Sequence, residues 1–157
     1  MNSDRRVATR GIIYRDGHIL VTKFRNSDGS ETDHWGTFGG GLDPHESLTD
    51  GLYREMIEET GIAPKIGKLL FIQQYTERHD HQKENLEFFF HIENTEDYAS
   101  IDLSATSHGL LELVRSEFLN PKEHNVRPIF LTDIDVKDHI ENHRPVFIYT
   151  ELRSTER

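Results

Sequence analysis

Residues 40–62 read GGLDPHESLTDGLYREMIEETGI, and this stretch decides how the rest of the chain is interpreted. It predicts a helix over Leu48–Thr60, with Ser47 as the N-terminal cap and Asp50 three residues later, an arrangement like a capping box. Gly61 ends the helix, because glycine readily takes the left-handed conformation found at many helix ends. The glycines before the helix permit close backbone approaches that a β-carbon would block. The stretch therefore predicts a glycine-rich turn packed beside a helix.

Three acidic residues of this helix share one face. Glu55, Glu58 and Glu59 are spaced i, i+3 and i+4, so their carboxylates project from the same side. Like charges at this spacing repel by roughly 0.2–0.5 kcal/mol per pair, and we expect something to offset that repulsion. Mg²⁺ and Mn²⁺ prefer carboxylate, carbonyl and water oxygens, which this face offers. The alternative is an ordinary solvated acidic face. The adjacent glycines and Arg54, one turn before Glu58, favour the metal site.

The apolar residues of the same helix predict how it packs. Leu52, Tyr53, Met56 and Ile57 occupy a second arc, and we expect all four to pack onto a sheet. Gly51, one turn before Glu55, leaves room beside the acidic face for a loop or a ligand. The helix is thus expected to be apolar on one side and acidic on another.

The spacing within this stretch resembles the Nudix box. Gly40, Glu46 and the run from Arg54 to Ile62 match G-x5-E-x7-R-E-U-x-E-E-x-G-U, where U is aliphatic, at every defined position. A motif of this length is far more specific than a short glycine motif. The resemblance extends over most of the chain. It implies an α/β fold, a Nudix-type α/β/α sandwich with a mixed β-sheet between helices, and a single Nudix hydrolase domain over residues 1–157.

The resemblance also implies a reaction, which is metal-dependent hydrolysis of a nucleoside diphosphate linked to another group, by attack of water at phosphorus. Mg²⁺ or Mn²⁺ is the implied cofactor. The family pattern assigns the metal to three carboxylates and one backbone carbonyl: those of Glu55, Glu58, Glu59 and Gly39. Arg54 and Glu46 are expected to organise the site through hydrogen bonds and ion pairing.

The carboxylate that activates water is left open, because this residue varies across the family. One expectation is that Glu55 or Glu58 activates the water. Carboxylates expected in loops outside the box are the other expectation, with ordinary surface charge as their alternative role; these are Glu84, Glu87 and Glu112.

Three residues depart from the family pattern. Phe38 stands where proline usually precedes the glycine pair, and His45 stands where glycine is frequent before the box glutamate. Leu113 replaces the usual tryptophan. None of these changes removes a predicted metal ligand, so they bear on substrate fit more than on chemistry.

Residues outside the box suggest substrate contacts. Lys23 and Arg25 are two apart on a predicted strand, and so on one face, where related enzymes place basic residues near phosphate; a solvated strand edge is an equal alternative. The segment beginning at Asn125 resembles the Asn-x-x-Pro-Ile segment of MutT-type hydrolases, in which the asparagine reads the base. The leading expectation is a nucleoside triphosphate or an oxidised nucleotide. The alternative function is a non-catalytic, ligand-sensing Nudix module, although such modules commonly lack the box glutamates.

Patterns in the rest of the sequence predict further strands, helices and a loop. Asp16-Gly17 between two apolar runs predicts a tight hairpin of Gly11–Arg15 with His18–Phe24. The polar residues 26–33 predict an exposed loop. We further predict strands at 69–76, 86–92, 110–114 and 145–152, a short helix at 116–120 and a longer helix at 133–142.

Composition limits the classes of function. The 157 residues carry a net charge of −10 and no cysteine, which argues against general binding to nucleic-acid polymers and excludes thiolate chemistry. We find no signal core and no apolar run of membrane-spanning length, so a cytoplasmic protein without membrane attachment is expected. The expected partner is a nucleotide-type small molecule, and a homodimer is possible because dimers are common in the family.

Overall fold

The structure is a computed structural model that describes residues 4–153. Within that range it contains nine strands and three α-helices. The strands are β1 (Asp4–Ile12), β2 (Tyr14–Arg15), β3 (His18–Arg25), β4 (Glu31–Gly36), β5 (Gly39–Gly41), β6 (Ile66–Thr76), β7 (Lys83–Ile92), β8 (Leu113–Leu119) and β9 (Phe147–Glu151). The helices are α1 (Leu48–Thr60), α2 (Gly109–Glu112) and α3 (Val136–Glu141), with 3-10 turns at Thr95–Tyr98, Leu103–Ala105 and Ile129–Thr132.

The strands form two sheets. The larger has the order β5-β1-β7-β6-β9 and is mixed, because β1 is parallel to β7 and β6 is parallel to β9 while the other pairs are antiparallel. In the smaller sheet β3 pairs antiparallel with β2, β4 and β8. The predicted mixed sheet is confirmed.

Two apolar clusters cover opposite faces of the large sheet. Because side chains alternate along a strand, Phe89 and Phe90 of β7 belong to different clusters. Phe90 packs in the cluster of α1, whereas Phe89 packs in the cluster of Phe130, whose ring meets that of Phe71 edge-on at 5.4 Å. The α/β/α sandwich expected from the sequence is therefore confirmed.

The predicted bounds and N-terminal cap of α1 and the predicted hairpin turn are also confirmed. Helix α1 spans the predicted residues, and the Ser47 side chain accepts a hydrogen bond from the Asp50 backbone at its start. Asp16 and Gly17 have φ angles of 48° and 82°, as a tight turn between β2 and β3 requires. The hairpin is shorter than predicted, since Gly11 and Ile12 belong to β1.

Other predicted elements hold in part. The strands at 69–76, 86–92 and 145–152 are present as β6, β7 and β9. The helix at 133–142 is reduced to α3, because the side chain of Asp135 caps it one residue before Val136. The exposed loop at 26–33 ends at Ser30, where β4 begins to pair with β3.

Two predictions between residues 110 and 120 are wrong. Residues 110–112 lie in α2, so the predicted strand there begins only at Leu113. Residues 116–119, predicted as a short helix, continue β8 and pair with β3 from Thr22 to Ile19. The apolar pattern here is too short to favour helix or strand, and pairing with a strand nearly a hundred residues earlier decides between them. No helix within residues 4–153 is long and apolar enough to span a membrane.

Candidate active site

The glycine turn before α1 consists of Gly39, Gly40 and Gly41, and close contacts at Gly39 and Gly40 leave no room for a side chain. Gly39 has a φ of 134°, and a β-carbon there would collide with the backbone of Thr9 on β1. At Gly40 a β-carbon would lie 2.6 Å from the carboxylate carbon of Glu55. Glycine at these positions therefore lets β5 pair with β1 on one side and receive the acidic face of α1 on the other.

Glu59 lies at the centre of this contact. It is 1% exposed, and its Oε1 accepts a hydrogen bond from the backbone N–H of Gly39 at 2.9 Å. The pKa of Glu59 is raised to about 8, chiefly by burial; the charges of Glu55 and Glu112 also raise it, whereas Arg10 and the Gly39 hydrogen bond oppose the shift. A buried carboxylate with one hydrogen bond is under-compensated when ionised.

The position of Glu59 corrects the predicted packing of α1. Leu52 and Met56 are buried as expected, but Tyr53 and Ile57 are 47% and 37% exposed. Because the glycine turn covers Glu59, the buried side of the helix includes Glu59 and excludes Tyr53 and Ile57. The space beside Gly51 is taken by a loop, since a β-carbon there would collide with the Leu42 side chain.

Arg54 connects the acidic residues of the turn and the helix. Its guanidinium donates two hydrogen bonds to Glu46, Nε to Oε2 and Nη2 to Oε1, both at 2.8 Å. Nη1 donates to Glu55 at 3.0 Å and to Glu58 at 3.3 Å, and Nη2 also donates to the Gly41 carbonyl at 3.1 Å. The hydrogen bonds from Arg54 lower the pKa of Glu46 to about 2, and those from Glu46 raise the pKa of Arg54. Arg54 therefore fixes the positions of three carboxylates at once.

Glu55 and Glu58 differ in their surroundings. Burial raises the pKa of Glu55, an effect that Arg54 opposes and that Glu58 and Glu112 reinforce. Glu58 is more exposed, and its Oε2 lies 3.4 Å from Nδ1 of His108. The backbone carbonyl of Glu58 also accepts a hydrogen bond from the His108 N–H at 3.0 Å. His108 carries no motif signal in the sequence, and only this contact identifies it as a neighbour of the site.

The three departures from the family pattern have structural explanations. His45 has a φ of 64°, the left-handed conformation that glycine adopts without strain. Phe38 and Leu113 are fully buried in the apolar cluster that packs against α1. The core therefore accommodates these two departures.

The candidate bases outside the box occupy three different places. Glu84 and Glu87 both lie on β7 rather than in a loop, and each contacts an arginine of β1, Arg5 and Arg10 respectively. Glu112 is exposed at the end of α2, close enough to raise the pKa of both Glu55 and Glu59. Of the three, Glu112 is the one that the structure brings toward the acidic face of α1.

The side chains predicted to contact substrate are each hydrogen-bonded to the backbone of the fold. Lys23 donates to the Thr32 carbonyl at 2.8 Å, and the Arg25 guanidinium donates to the carbonyls of Gly29 and Leu110. The strand is irregular between Lys23 and Arg25, so their shared face is interrupted. The Asn125 side chain donates to the Asp33 carbonyl at 3.1 Å. All three side chains thus bind backbone carbonyls in the structure.

A cavity of about 500 Å³ opens on the face of the large sheet that carries Phe89. Such a volume is within the range typical of small-molecule sites. Its floor includes Arg10, Gln73 and Glu87, and Thr37 lines it beside the glycine turn. The segment beginning at Asn125 reaches the cavity through residues 127–129 rather than through Asn125 itself. Arg10 donates to the carbonyls of Thr37 and Gly39, so it connects the cavity with the turn that covers Glu59.

Comparison with known proteins identifies the family of the chain. A NUDIX domain family model matches residues 4–135. The CTP pyrophosphohydrolase of Escherichia coli (strain K12) is 36% identical over 63 residues, which are 40% of this chain and 46% of that protein, so the match spans less than half of this relative.

Solved structures share the fold at low sequence identity. The MutT protein from Methanosarcina mazei Go1 is similar with a TM-score of 0.65 at 19% identity, covering 92% of this chain and 99% of that chain. The MutT NUDIX hydrolase from Burkholderia pseudomallei gives a TM-score of 0.61 at 20% identity, covering 80% and 90%. The family model, the fold and the residues around the glycine turn lead to one assignment. The chain belongs to the Nudix family of hydrolases.

Proposed function

We propose that the protein is a Mg²⁺- or Mn²⁺-dependent pyrophosphohydrolase that cleaves a nucleoside diphosphate linked to another group by attack of water at phosphorus. The observation that carries this proposal is the packing of the acidic face of α1 against a glycine turn. Glu59 is buried against the Gly39 N–H, the Glu55 carboxylate lies against Gly40, and Arg54 holds Glu55 and Glu58.

The donor set fits a hard divalent cation. Carboxylate oxygens of Glu55, Glu58 and Glu59, with the carbonyl of Gly39, are oxygen ligands of the kind that Mg²⁺ and Mn²⁺ prefer. Within residues 4–153 no three acidic or histidine side chains already have a metal-holding arrangement, and Arg54 lies between two of these carboxylates. When bound, the metal would neutralise phosphate oxygens and lower the pKa of water.

The protein's own residues supply positioning and charge. The two hydrogen bonds of Arg54 to Glu46 keep the guanidinium in place, so that its remaining N–H groups orient Glu55 and Glu58. Gly40 gives the Glu55 carboxylate room to approach the turn. For the group that accepts a proton from water we retain Glu55, Glu58 and Glu112, since Glu87 is bound to Arg10 and Gln73.

We further propose a nucleoside triphosphate, including an oxidised one, as the substrate. The curated relative is named a CTP pyrophosphohydrolase, which supports this class. The cavity beside the glycine turn has the volume that a nucleoside requires. Lys23, Arg25 and Asn125 remain candidates for substrate binding, provided that their side chains leave their present carbonyl partners. We expect one domain, acting as a monomer or a homodimer.

Turnover of a nucleotide panel tests the proposal. The protein is incubated with Mg²⁺ or Mn²⁺ and nucleoside triphosphates, oxidised nucleotides and other nucleoside diphosphate derivatives, and the release of phosphate or pyrophosphate is measured. We expect metal-dependent release with at least one substrate. Glu59→Gln should reduce it by about 100-fold or more, because a metal contributes several kcal/mol to catalysis.

The matched control for this variant is Glu141→Gln, an exposed glutamate of α3. It should retain wild-type turnover. A flat response of the wild type across the whole panel would favour a ligand-sensing module instead of an enzyme.

A further inference from the structure

The cavity floor contains a row of polar side chains that crosses three adjacent strands. Arg10 of β1 donates from Nε to Glu87 of β7 at 3.1 Å, and Gln73 of β6 donates from Nε2 to the other oxygen of Glu87 at 2.9 Å. Glu87 and Gln73 are direct neighbours in the register of β7 and β6. We call these three residues the floor triad.

Two members of the floor triad are buried and Arg10 is partly buried, and two polar atoms of the triad have no hydrogen-bond partner among the described residues. Glu87 is 5% exposed and Gln73 is 8% exposed. Within residues 4–153, Nη2 of Arg10 donates no hydrogen bond and the amide oxygen of Gln73 accepts none, although the other polar atoms of these side chains are bonded. In the described part of the chain, Thr9 Oγ1 is the buried side-chain atom that lacks a partner, so these two atoms are not sealed in the core. They are open to the cavity that Arg10 and Gln73 line, where a ligand can reach them.

A second triad on the opposite face of the same strands shows what an ordinary structural version looks like. Arg5 contacts Glu84 at 3.1 Å, and Gln74 donates to the same Glu84 oxygen at 2.7 Å. This outer triad also joins β1, β7 and β6, but its arginine is 53% exposed to solvent. Solvent can complete the hydrogen bonding of the outer triad, whereas the floor triad faces a cavity.

We propose that the floor triad is the specificity element of the substrate site, in which Arg10 Nη2 and the Gln73 amide oxygen hydrogen-bond one edge of the nucleobase. This inference rests on the proposed function, because it assigns the nucleoside part of that substrate to the cavity. Glu87 orients both side chains and does not itself need to touch the ligand.

The chemistry of the two free atoms defines the ligand. Nη2 of Arg10 is a donor and requires an acceptor, whereas the Gln73 oxygen is an acceptor and requires a donor. A planar edge with an acceptor beside a donor is what nucleobases present. Phe89 and Tyr149 also line the cavity and offer aromatic surface to a planar ring. Arg10 contacts the Thr37 and Gly39 carbonyls as well, so a bound base would be held next to the turn at Glu59.

The test compares the two triads. Gln73→Met keeps the length of the side chain but removes the amide, and Gln74→Met makes the same change in the outer triad. Turnover of ATP, GTP, CTP and UTP is measured for wild type and both variants, together with calorimetric binding of the four nucleoside monophosphates. We expect Gln73→Met to reduce turnover and binding of the nucleotide with the preferred base by about 10-fold or more. The differences in turnover and affinity among the four bases should also become smaller, because a site built to hydrogen-bond a group discriminates strongly against ligands that lack it. Gln74→Met should retain the wild-type preference.

Several outcomes overturn the proposal: a wild type that binds no monophosphate or shows no base preference, an unchanged preference in Gln73→Met, or an equal loss for all four bases. Base-selective binding without turnover would instead contradict the proposed function and leave the specificity element standing. If Gln73→Met does not fold, Arg10→Lys takes its place, with Arg5→Lys as control. Lysine keeps the charge opposite Glu87 but lacks the planar fork, so the same loss of base preference is expected.

Discussion

Glu59 and Glu87 are both carboxylates buried beneath the surface, 1% and 5% exposed, but they are compensated in different ways. Glu87 receives a hydrogen bond from the Arg10 guanidinium and another from Gln73. Glu59 receives one from the Gly39 backbone, and burial raises its pKa to about 8.

This difference indicates that Glu87 has a structural role, whereas Glu59 is placed to bind the proposed cation. Glu87 has its counter-ion within the fold, and both of its oxygens accept hydrogen bonds from neighbouring side chains. Glu59 has no arginine hydrogen-bonded to it among the described residues, and the charges of Glu55 and Glu112 act against its anion, so an added cation would stabilise it. This contrast leads to four predictions.

Removing the paired carboxylate should have the largest effect. Glu87→Ala leaves the Arg10 guanidinium buried without its partner, and we expect the free energy of unfolding to fall by about 3–5 kcal/mol. Glu84→Ala, the same change in the outer triad, should cost about 1 kcal/mol or less. Urea denaturation at pH 7 measures both. Equal losses would mean that the two triads do not differ in the way their burial indicates.

A divalent cation should stabilise the protein through Glu59. With Mn²⁺ at about 100 times its dissociation constant, we expect about 2.7 kcal/mol of added stability, seen as a rise in melting temperature at pH 8. Glu59→Gln should abolish the rise, and Glu84→Gln should retain it. A similar rise in Glu59→Gln would place the ion elsewhere.

The unpaired carboxylate should make the metal-free protein less stable at high pH. The folded pKa of Glu59, about 8, exceeds its ordinary value of 4.5, so its contribution to stability is complete below pH 4.5 and is lost as pH rises through 8. With chelator present, Glu59→Gln should match wild type near pH 5 and exceed it by about 1–3 kcal/mol near pH 9. The full shift from 4.5 to about 8 corresponds to about 5 kcal/mol at about 1.4 kcal/mol per pKa unit, and entry of water around the ionised carboxylate reduces that value. Denaturation curves at both pH values decide this, and a variant less stable than wild type at pH 9 would contradict it.

Glu46 should show the smallest effect, and with the opposite sign. Arg54 lowers its pKa to about 2, so its contribution to stability is present above pH 4.5 and is lost as pH falls through 2. We expect Glu46→Gln to lower the melting temperature slightly at pH 7, with the difference from wild type shrinking toward pH 2. The exposed Glu141→Gln serves as reference, and a difference that persists unchanged at pH 2 would exclude the ion pair as its source.

Much of α1 could be predicted from the sequence because the deciding interactions are local. Ser47 and Gly61 cap the helix through their own backbone neighbours, and the i, i+3 and i+4 spacing puts the three glutamates on one face. The packing of Tyr53 and Ile57 could not be predicted in this way, because the covering of Glu59 by the glycine turn sets the rotation of the helix.

The sequence by itself determined the helix, the acidic face and the family, since each is written in short-range spacing within residues 40–62. Only the tertiary structure decided that Glu87 is paired with Arg10, because that contact joins residues 77 positions apart on parallel strands. It also decided that residues 116–119 form a strand and that Gln73 lines a cavity. Pairing between distant strands depends on the arrangement of the whole chain, which local propensity does not contain.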